Sequence, residues 1–291
     1  MTLIAYRIVF RLESPLYIGW RKIGNLMQTR YYVPGRSFWG AVTANLTRWL
    51  GKTNYCEIGE WVKEHLRFGY FFLAENPDTP LYPHLLDGHL VYGPNGLEPA
   101  KFERRFLSSI ASTAITPDSN SAEEGSLHEV EFIKSSLGIG SPVYLVGHLF
   151  VHQDEKIDIR NDDVNIQGVS LFSQVIPDLQ IGGERRYGFG RLVLQRDACH
   201  EVNDVFGYTL SQRDGSHEVT VPRESPVFAH TIANNLNMSG FIEPLVSREW
   251  SQQKGPGHQL TLLGVPFAPG SFVCLETTFL IDYYGVWESK G

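Results

Sequence analysis

The amino-acid sequence predicts an α+β fold that is rich in β-strands, with a glycine-rich loop and a β-rich C-terminal subdomain. Apolar and polar residues alternate from Ile4 to Leu12, which is the two-residue period of a strand. Apolar residues then recur at helical spacing between Arg36 and Leu50, and Gly51 ends that helix. The 28 glycines and 16 prolines indicate many turns and exclude an all-helical bundle.

Further elements follow along the chain. Trp61–Ala74 is apolar and aromatic and fits either a helix or a strand, and the prolines of Asn76–Gly96 predict a loop. The polar segment Arg104–Glu131 predicts a long excursion or a hairpin tip. Composition shifts near residue 200, so we predict a core of residues 1–199 and a subdomain of residues 200–291. Three other segments are predicted strands: Pro142–Val151, Arg191–Gln195 and Phe272–Ile281.

The composition excludes several classes of protein. Cys56, Cys199 and Cys274 are too scattered for a disulfide framework or a zinc site, and the ten histidines form no metal pattern. The sequence shows no secretory signal and no apolar run long enough to span a bilayer. We therefore expect a cytoplasmic protein with no metal, no cofactor and no membrane partner.

Positive charge is concentrated in one stretch, although the net charge is −7. No Asp or Glu occurs from Ser14 to Cys56, where six basic residues lie: Arg21, Lys22, Arg30, Arg36, Arg48 and Lys52. Acidic residues cluster elsewhere, as in Asp154, Glu155, Asp158, Asp162 and Asp163. This distribution favours one basic face on an acidic protein. The alternative is that the acid-free stretch arises by chance.

The segment Ile181–Leu192 is the strongest candidate binding site. Glycine permits close backbone approach, arginine grips phosphate with a planar fork, and aromatic rings stack on bases. These properties together predict a site for a nucleic-acid backbone; the alternative is a glycine-rich hairpin packed on the core. The residues that carry the prediction are Gly182, Gly183, Arg185, Arg186, Tyr187, Phe189 and Arg191.

Two common nucleotide-binding motifs are excluded. Val193 stands where a dinucleotide-binding loop has its third glycine, and a strand rather than a helix is predicted to follow. The chain also has no phosphate loop that ends in Gly-Lys-Ser or Gly-Lys-Thr. A second phosphate-binding region is predicted where the basic loop meets the first helix, because a helix start offers free N–H groups. Its candidate residues are Arg21, Lys22, Arg30, Arg36 and Ser37.

Three motifs in order resemble the CRISPR-associated RAMP (repeat-associated mysterious protein) superfamily. The first joins Ser14–Gly19 to Tyr32–Val42, the second joins Thr113–Thr116 to Ala122–His128, and the third is the glycine-rich loop Gly182–Arg191. The resemblance covers most of the first two-thirds of the chain. It departs from the family at Arg36, where a small residue is frequent.

The resemblance implies a ferredoxin-like core of the RRM type, with RNA against the sheet, the helix start and the glycine-rich loop. It also implies that residues 104–131 form a thumb-like hairpin. Backbone subunits of type III complexes cut target RNA with an aspartate after the first strand, whereas no aspartate precedes Asp78 here. Guide-processing members usually carry a histidine near the first helix, and Arg36–Leu50 has none.

The resemblance therefore favours a non-catalytic subunit that holds the 5′ handle of the guide RNA (crRNA) in a type III effector complex. Its expected partners are the crRNA, backbone RAMP subunits and a large signature subunit. One alternative is a metal-independent, guide-processing endoribonuclease that uses His128, His65 or Tyr187. The others are a backbone RAMP subunit along the guide and an assembly scaffold that contacts only protein.

Overall fold

A computed structural model describes residues 3–51, 54–152, 156–161, 164–213, 216–232, 238–251 and 255–289. Lys52, Asp154, Glu155, Asp162 and Asp163 lie outside these ranges. Within them the α-helices are α1 (Gly35–Trp49), α2 (Tyr55–His65) and α3 (Pro99–Phe106). No helix in the described ranges is long and apolar enough to cross a bilayer.

Strands make up most of the regular structure. In chain order they are β1 (Leu3–Leu12), β2 (Gly19–Ile23), β3 (Leu26–Thr29), β4 (Tyr32–Val33), β5 (Leu66–Ala74), β6 (Pro83–Leu86), β7 (His89–Tyr92), β8 (Leu107–Ser112), β9 (Ile115–Thr116), β10 (Ser121–Ala122), β11 (His128–Ile133), β12 (Tyr144–His152), β13 (Lys156–Asn161), β14 (Val164–Ser170), β15 (Asp178–Gln180), β16 (Arg191–Leu194), β17 (His200–Val202), β18 (Asp204–Val205), β19 (Tyr208–Arg213), β20 (Ser216–Val221), β21 (Thr231–Ile232), β22 (Met238–Ser239), β23 (Val246–Ser251), β24 (Gly255–Leu262), β25 (Phe272–Val273), β26 (Thr277–Ile281) and β27 (Trp287–Ser289).

The central sheet has the order β15–β16–β1–β12–β5–β4, and β17 pairs with the other half of β1. All of these pairs are antiparallel. The predicted first strand and first helix are confirmed as β1 and α1. The segment Trp61–Ala74, which fitted either a helix or a strand, contains both, because α2 ends at His65 and β5 begins at Leu66.

The central sheet is buried on both faces. On one face α1 packs through Phe38, whose ring lies 5.5 Å from that of Phe10 and 3.9 Å from that of Phe71. On the other face Tyr70 and Phe72 belong to a second core that the C-terminal region supplies with its own apolar residues. At these residues the sheet is therefore closed by the chain itself and is not open to a ligand.

A second sheet, with the order β2–β3–β11–β8, projects from the core. Strands β8 and β11 form a hairpin whose register runs from Leu107↔Ile133 to Ser112↔His128, and β9 and β10 form its tip. The predicted excursion is thus a hairpin. Strand β3 pairs in parallel with β11, so the basic segment of β2 and β3 belongs to the same sheet.

The C-terminal region is built from strands, as its composition predicts. Its main sheet has the order β18–β19–β20–β26–β27–β21. The predicted strand Phe272–Ile281 is interrupted, since β25 ends at Val273 and β26 begins at Thr277. Strands β23 and β24 form a separate hairpin.

The predicted loop Asn76–Gly96 contains a hairpin of β6 and β7. Its two turn residues, Asp87 and Gly88, have φ values of 52° and 79°. Positive φ at both central positions is the requirement of a type I′ turn, for which Asp-Gly is a preferred sequence. The four prolines of Asn76–Gly96 predicted a loop, whereas the Asp87-Gly88 dipeptide among them favours this hairpin.

Candidate nucleic-acid interface

The glycine-rich loop joins β15 to β16 and packs against the segment after β1. The Gly183 N–H donates to the Tyr17 carbonyl at 2.9 Å, and the Gly190 N–H donates to the Pro15 carbonyl at 2.7 Å. A Cβ on Gly182 would lie 2.3 Å from the Tyr17 carbonyl oxygen. The close approach that these glycines permit is therefore to the chain's own backbone, which fixes the base of the loop.

The tip of the loop projects into solvent. Arg185–Tyr187 form a single 3₁₀ turn between Glu184 and Gly188, which both have positive φ. The Gln180 side-chain amide donates at 3.1 Å to the carbonyl oxygens of Arg185 and Phe189 and so braces the turn. Both arginines are exposed and Tyr187 is 75% exposed. The turn thus presents two cations and one ring on a rigid base.

The last two candidates of the loop are engaged within the protein. Phe189 is buried, and its ring lies edge-on to Phe132 at 5.3 Å. The expectation that this ring stacks on a base is wrong, because its faces are covered. Arg191 is exposed and donates to Asp178, with Nη2 and Oδ2 at 2.7 Å. A phosphate contact by Arg191 competes with that pair.

The two basic residues of β2 lie on opposite faces of the projecting sheet. Lys22 pairs with Met27, and Met27 pairs with Val130, so these three side chains share one face. Phe132, two residues after Val130, lies on the same face and contacts Phe189 of the glycine-rich loop. Lys22 therefore lies on the face that adjoins the loop.

Arg21, one residue before Lys22, points to the other face. Its Nε donates to Gln28 at 2.7 Å, and its guanidinium lies 4.1 Å from the Trp20 ring centroid. Glu131 lies on that face as well, where burial raises the pKa of its carboxyl. Arg21 is thus close to a carboxylate and lies on the face opposite Lys22.

The candidates around the first helix are separated from the loop. Gly35 lies so close to β5 that an added Cβ would be 2.0 Å from the Phe68 carbonyl oxygen. The sheet order puts β5 three strands from β16, about 14 Å away. Ser37 lies within α1 and does not cap it, since Pro34 is the N-cap residue. The Arg36 guanidinium lies 4.2 Å from the centre of the Tyr284 ring.

Arg30 is buried in a polar cluster that the sequence did not reveal. Its guanidinium pairs with Glu243, which also accepts hydrogen bonds from Tyr32 at 2.7 Å and from His230. The Trp20 indole N–H donates to the other carboxylate oxygen at 2.9 Å. These five residues, called the Glu243 cluster below, join the segment after β1 to the C-terminal region. More than 200 residues of chain separate Arg30 from Glu243, so no local pattern could pair them.

The charge of the Glu243 cluster follows from its contacts. Burial opposes ionisation of Glu243, but the His230 hydrogen bond and the Arg30 charge outweigh it and lower the carboxyl pKa to about 2. Burial lowers the pKa of His230. Its Nε2–H faces Glu243, so Nδ1 accepts from the Tyr70 hydroxyl at 2.6 Å. The cluster thus holds one cation and one anion around a neutral imidazole.

The histidines considered as general bases are engaged locally. His65 stacks on Trp61, with ring centroids 4.3 Å apart, and its Nδ1 lies 2.9 Å from the Trp61 carbonyl. His128 Nδ1 lies 3.0 Å from the Ser126 carbonyl. Among the described residues, no three His, Cys, Asp or Glu side chains are grouped as metal ligands.

A cleft of about 760 Å³ lies between the β6–β7 hairpin and the C-terminal region. Asp87 and Glu224 line it, and Glu224 pairs with Arg223 at 3.0 Å. Carboxylates repel phosphate, so this cleft is unsuited to a nucleic-acid backbone.

The family model of the RAMP superfamily matches residues 9–193. The chain belongs to the RAMP superfamily. The matched range of this RAMP protein contains the basic segment, the excursion and the glycine-rich loop, and leaves out the C-terminal region. Comparison with curated proteins finds no match.

Solved structures share the fold of this RAMP protein. One is a chain of the type III-B Cmr-beta complex bound to cognate target RNA and AMPPnP, with a TM-score of 0.55 and 12% identity over 92% of this chain and 85% of that one. Another comes from type III-B Cmr-beta bound to cognate target RNA, with a TM-score of 0.51 and 13% identity over 92% of this chain and 86% of that one. Both matches extend beyond residue 193, so the similarity of fold includes much of the C-terminal region.

Proposed function

We propose that this RAMP protein is a non-catalytic, crRNA-binding subunit of a CRISPR type III ribonucleoprotein and holds the 5′ handle of the guide. The observation that carries the proposal is the exposed Arg185–Tyr187 turn on a loop anchored by glycines to Tyr17 and Pro15. Two cations and a ring on a rigid base suit a phosphate backbone and a stacked base. Family membership and the fold of the Cmr-beta chains support the type III assignment.

The order of the strands supports a ferredoxin-like core. Along the chain β1 precedes α1, and β5, β12 and β16 follow it, which gives the sequence β-α-β-β-…-β. In the sheet these four strands lie in the order β16–β1–β12–β5. Between β12 and β16 the chain forms the β13–β14 hairpin and a single π-helical turn, Leu171–Val175, instead of a long second helix. The core proposed here is residues 1–199, with residues 200–291 as a subdomain that closes one face of the sheet.

The RNA is proposed to run between the glycine-rich loop and the face of the projecting sheet that carries Lys22. Arg185 and Arg186 contact phosphates, and Tyr187 stacks on a base. The hairpin of β8 and β11 acts as the thumb beside this path. Backbone RAMP subunits and a large signature subunit are the expected protein partners, and the cytoplasm is the expected compartment.

The first test removes the two exposed arginines of the loop. Arg185→Ala with Arg186→Ala should weaken crRNA binding. It should also make the negative slope of log K against log salt shallower by up to about 1.4, at about 0.7 per phosphate contact on a single strand. Arg48→Ala with Arg223→Ala removes the same charge at exposed sites elsewhere and should leave the slope unchanged. Equal slopes for the two double variants would contradict the assignment of the loop.

The second test identifies the RNA itself. The full chain, expressed with the genes beside its own, is purified and the bound RNA is sequenced. Short RNAs that share one 5′ end support the handle, whereas RNAs with scattered 5′ ends would exclude it and leave general RNA binding. Cleavage of repeat RNA by the purified protein without metal would instead establish the endoribonuclease alternative.

A further inference from the structure

Glu243 connects the C-terminal region to both ends of the basic hairpin formed by β2 and β3. Trp20 lies in β2, and Arg30 directly follows β3. The Trp20 indole N–H donates to Oε2 of Glu243 at 2.9 Å, and the Arg30 guanidinium pairs with Oε1. One carboxylate from a distant part of the chain therefore contacts residues at both open ends of the hairpin, Trp20 in β2 and Arg30 just after β3.

The acceptor geometry makes a carboxylate specifically suited to this position. Oε1 receives donors from Arg30, Tyr32 and His230, while Oε2 receives Trp20. A glutamine would present one oxygen and one NH₂ group, so its NH₂ would face a donor at one of the two ends. The side chains of Glu243 and Arg30 are 15% and 8% exposed, so at the Arg30 end water cannot easily replace a lost acceptor.

The hairpin held in this way carries the two basic residues of β2. Arg21 stacks on Trp20 with its guanidinium 4.1 Å from the ring centroid, and Lys22 lies on the face shared with Phe132, which contacts the glycine-rich loop. β2 is exposed along its whole length and is the edge strand of its sheet, where it pairs with β3. The bond between Trp20 and Glu243 is thus an attachment of the exposed strand to the body of the protein.

We propose that Glu243 is a positioning residue of the C-terminal subdomain, which acts through Trp20 and Arg30 to hold the β2–β3 hairpin against the crRNA. This inference rests on the proposed function, since it requires that the hairpin contacts RNA. It gives the C-terminal region, which lies outside the family match, an indirect part in binding the guide, through the position of the hairpin. Arg30 then supports RNA binding without contacting RNA, because its pair with Glu243 helps to hold the hairpin in place.

The decisive variant is Trp20→Phe, measured in the full chain purified with its complex. Phenylalanine keeps an aromatic ring beside Arg21, although a smaller one, and removes the N–H that donates to Glu243. We expect crRNA affinity to fall about three- to tenfold and the salt slope to drop by about 0.7, with the thermal midpoint within about 4 °C of the wild type. Glu243→Gln should lower affinity at least as much. Glu276→Gln, at an exposed acid of the same region, is the matched control and should bind normally.

A double-mutant cycle separates positioning from general stability. In an Arg21→Ala, Lys22→Ala background, Trp20→Phe should cause no further loss of affinity, because the residues it orients are gone. A loss of equal size in both backgrounds overturns the positioning role. If the wild type binds RNA and Trp20→Phe binds it equally well, the positioning role is overturned as well, while the proposed function stands. A wild-type complex without bound RNA overturns the proposed function and this inference together.

Discussion

Asp282 is a half-buried carboxylate that shapes the turn before β27. Its Oδ1 accepts the backbone N–H groups of Tyr284 at 2.7 Å and Val286 at 2.8 Å. Burial raises the pKa of Asp282 to about 6, and these two hydrogen bonds only partly oppose the shift. This turn covers the start of α1, where a Cβ on Gly35 would lie 2.5 Å from the Tyr284 carbonyl oxygen.

Asp282→Asn should stabilise the protein at neutral pH by about 1–3 kcal/mol, because the amide oxygen accepts both bonds and the buried charge is removed. Since the folded pKa is raised, the wild type gains stability as pH falls from about 6 towards 4. The difference between variant and wild type should therefore shrink over that range, as measured by urea unfolding. Glu276→Gln should show no such dependence, and an Asp282→Asn protein less stable than the wild type at pH 7 would refute the prediction.

The glycine-rich loop offers a matched pair of substitutions at the scale of one element. Gly188 and Gly190 both have φ of 83°, but a Cβ on Gly188 meets nothing within 4 Å, whereas on Gly190 it would lie 1.8 Å from the Ile181 carbonyl oxygen. Gly188→Ala should lower the free energy of unfolding by about 1 kcal/mol, the cost of a left-handed alanine. Gly190→Ala should cost more than about 3 kcal/mol, because backbone must also move. Equal costs in denaturant unfolding would contradict this account of the loop.

The same element shows what the sequence could predict. Alternation identified β1 and β16, because it is a local pattern. The glycines predicted a close approach to a bound nucleic-acid backbone, whereas their close contacts in the structure are to the chain's own backbone. The direction of each side chain depends on tertiary pairing, so Phe189 was wrongly expected to face a base and Arg30 lies beneath the surface. The Glu243 cluster had no local signal, since Trp20, Arg30 and Tyr32 come from one part of the chain and His230 and Glu243 from another, distant part.

At the scale of the whole molecule, one core joins the RAMP sheet to the C-terminal region. The ring of Phe72 in β5 lies 5.2 Å from Tyr82, 5.6 Å from Phe206 and 6.2 Å from Phe228, and all but Tyr82 are buried. The C-terminal region therefore closes this face of the sheet, and the exposed Lys22, Arg185 and Arg186 lie outside the closed face.

This shared core predicts that the two parts unfold together. Phe72→Ala should lower the free energy of unfolding by about 3–5 kcal/mol and should keep a single transition, because the cavity it leaves weakens the sheet and the C-terminal region alike. Far-UV circular dichroism and amide hydrogen exchange of β5 and β26 report on the two parts separately. Phe241→Ala, at a half-exposed ring, should cost less than about 1 kcal/mol. Two resolved transitions in Phe72→Ala would mean that the C-terminal region folds independently, and Glu243 would then hold the hairpin only as firmly as that docking allows.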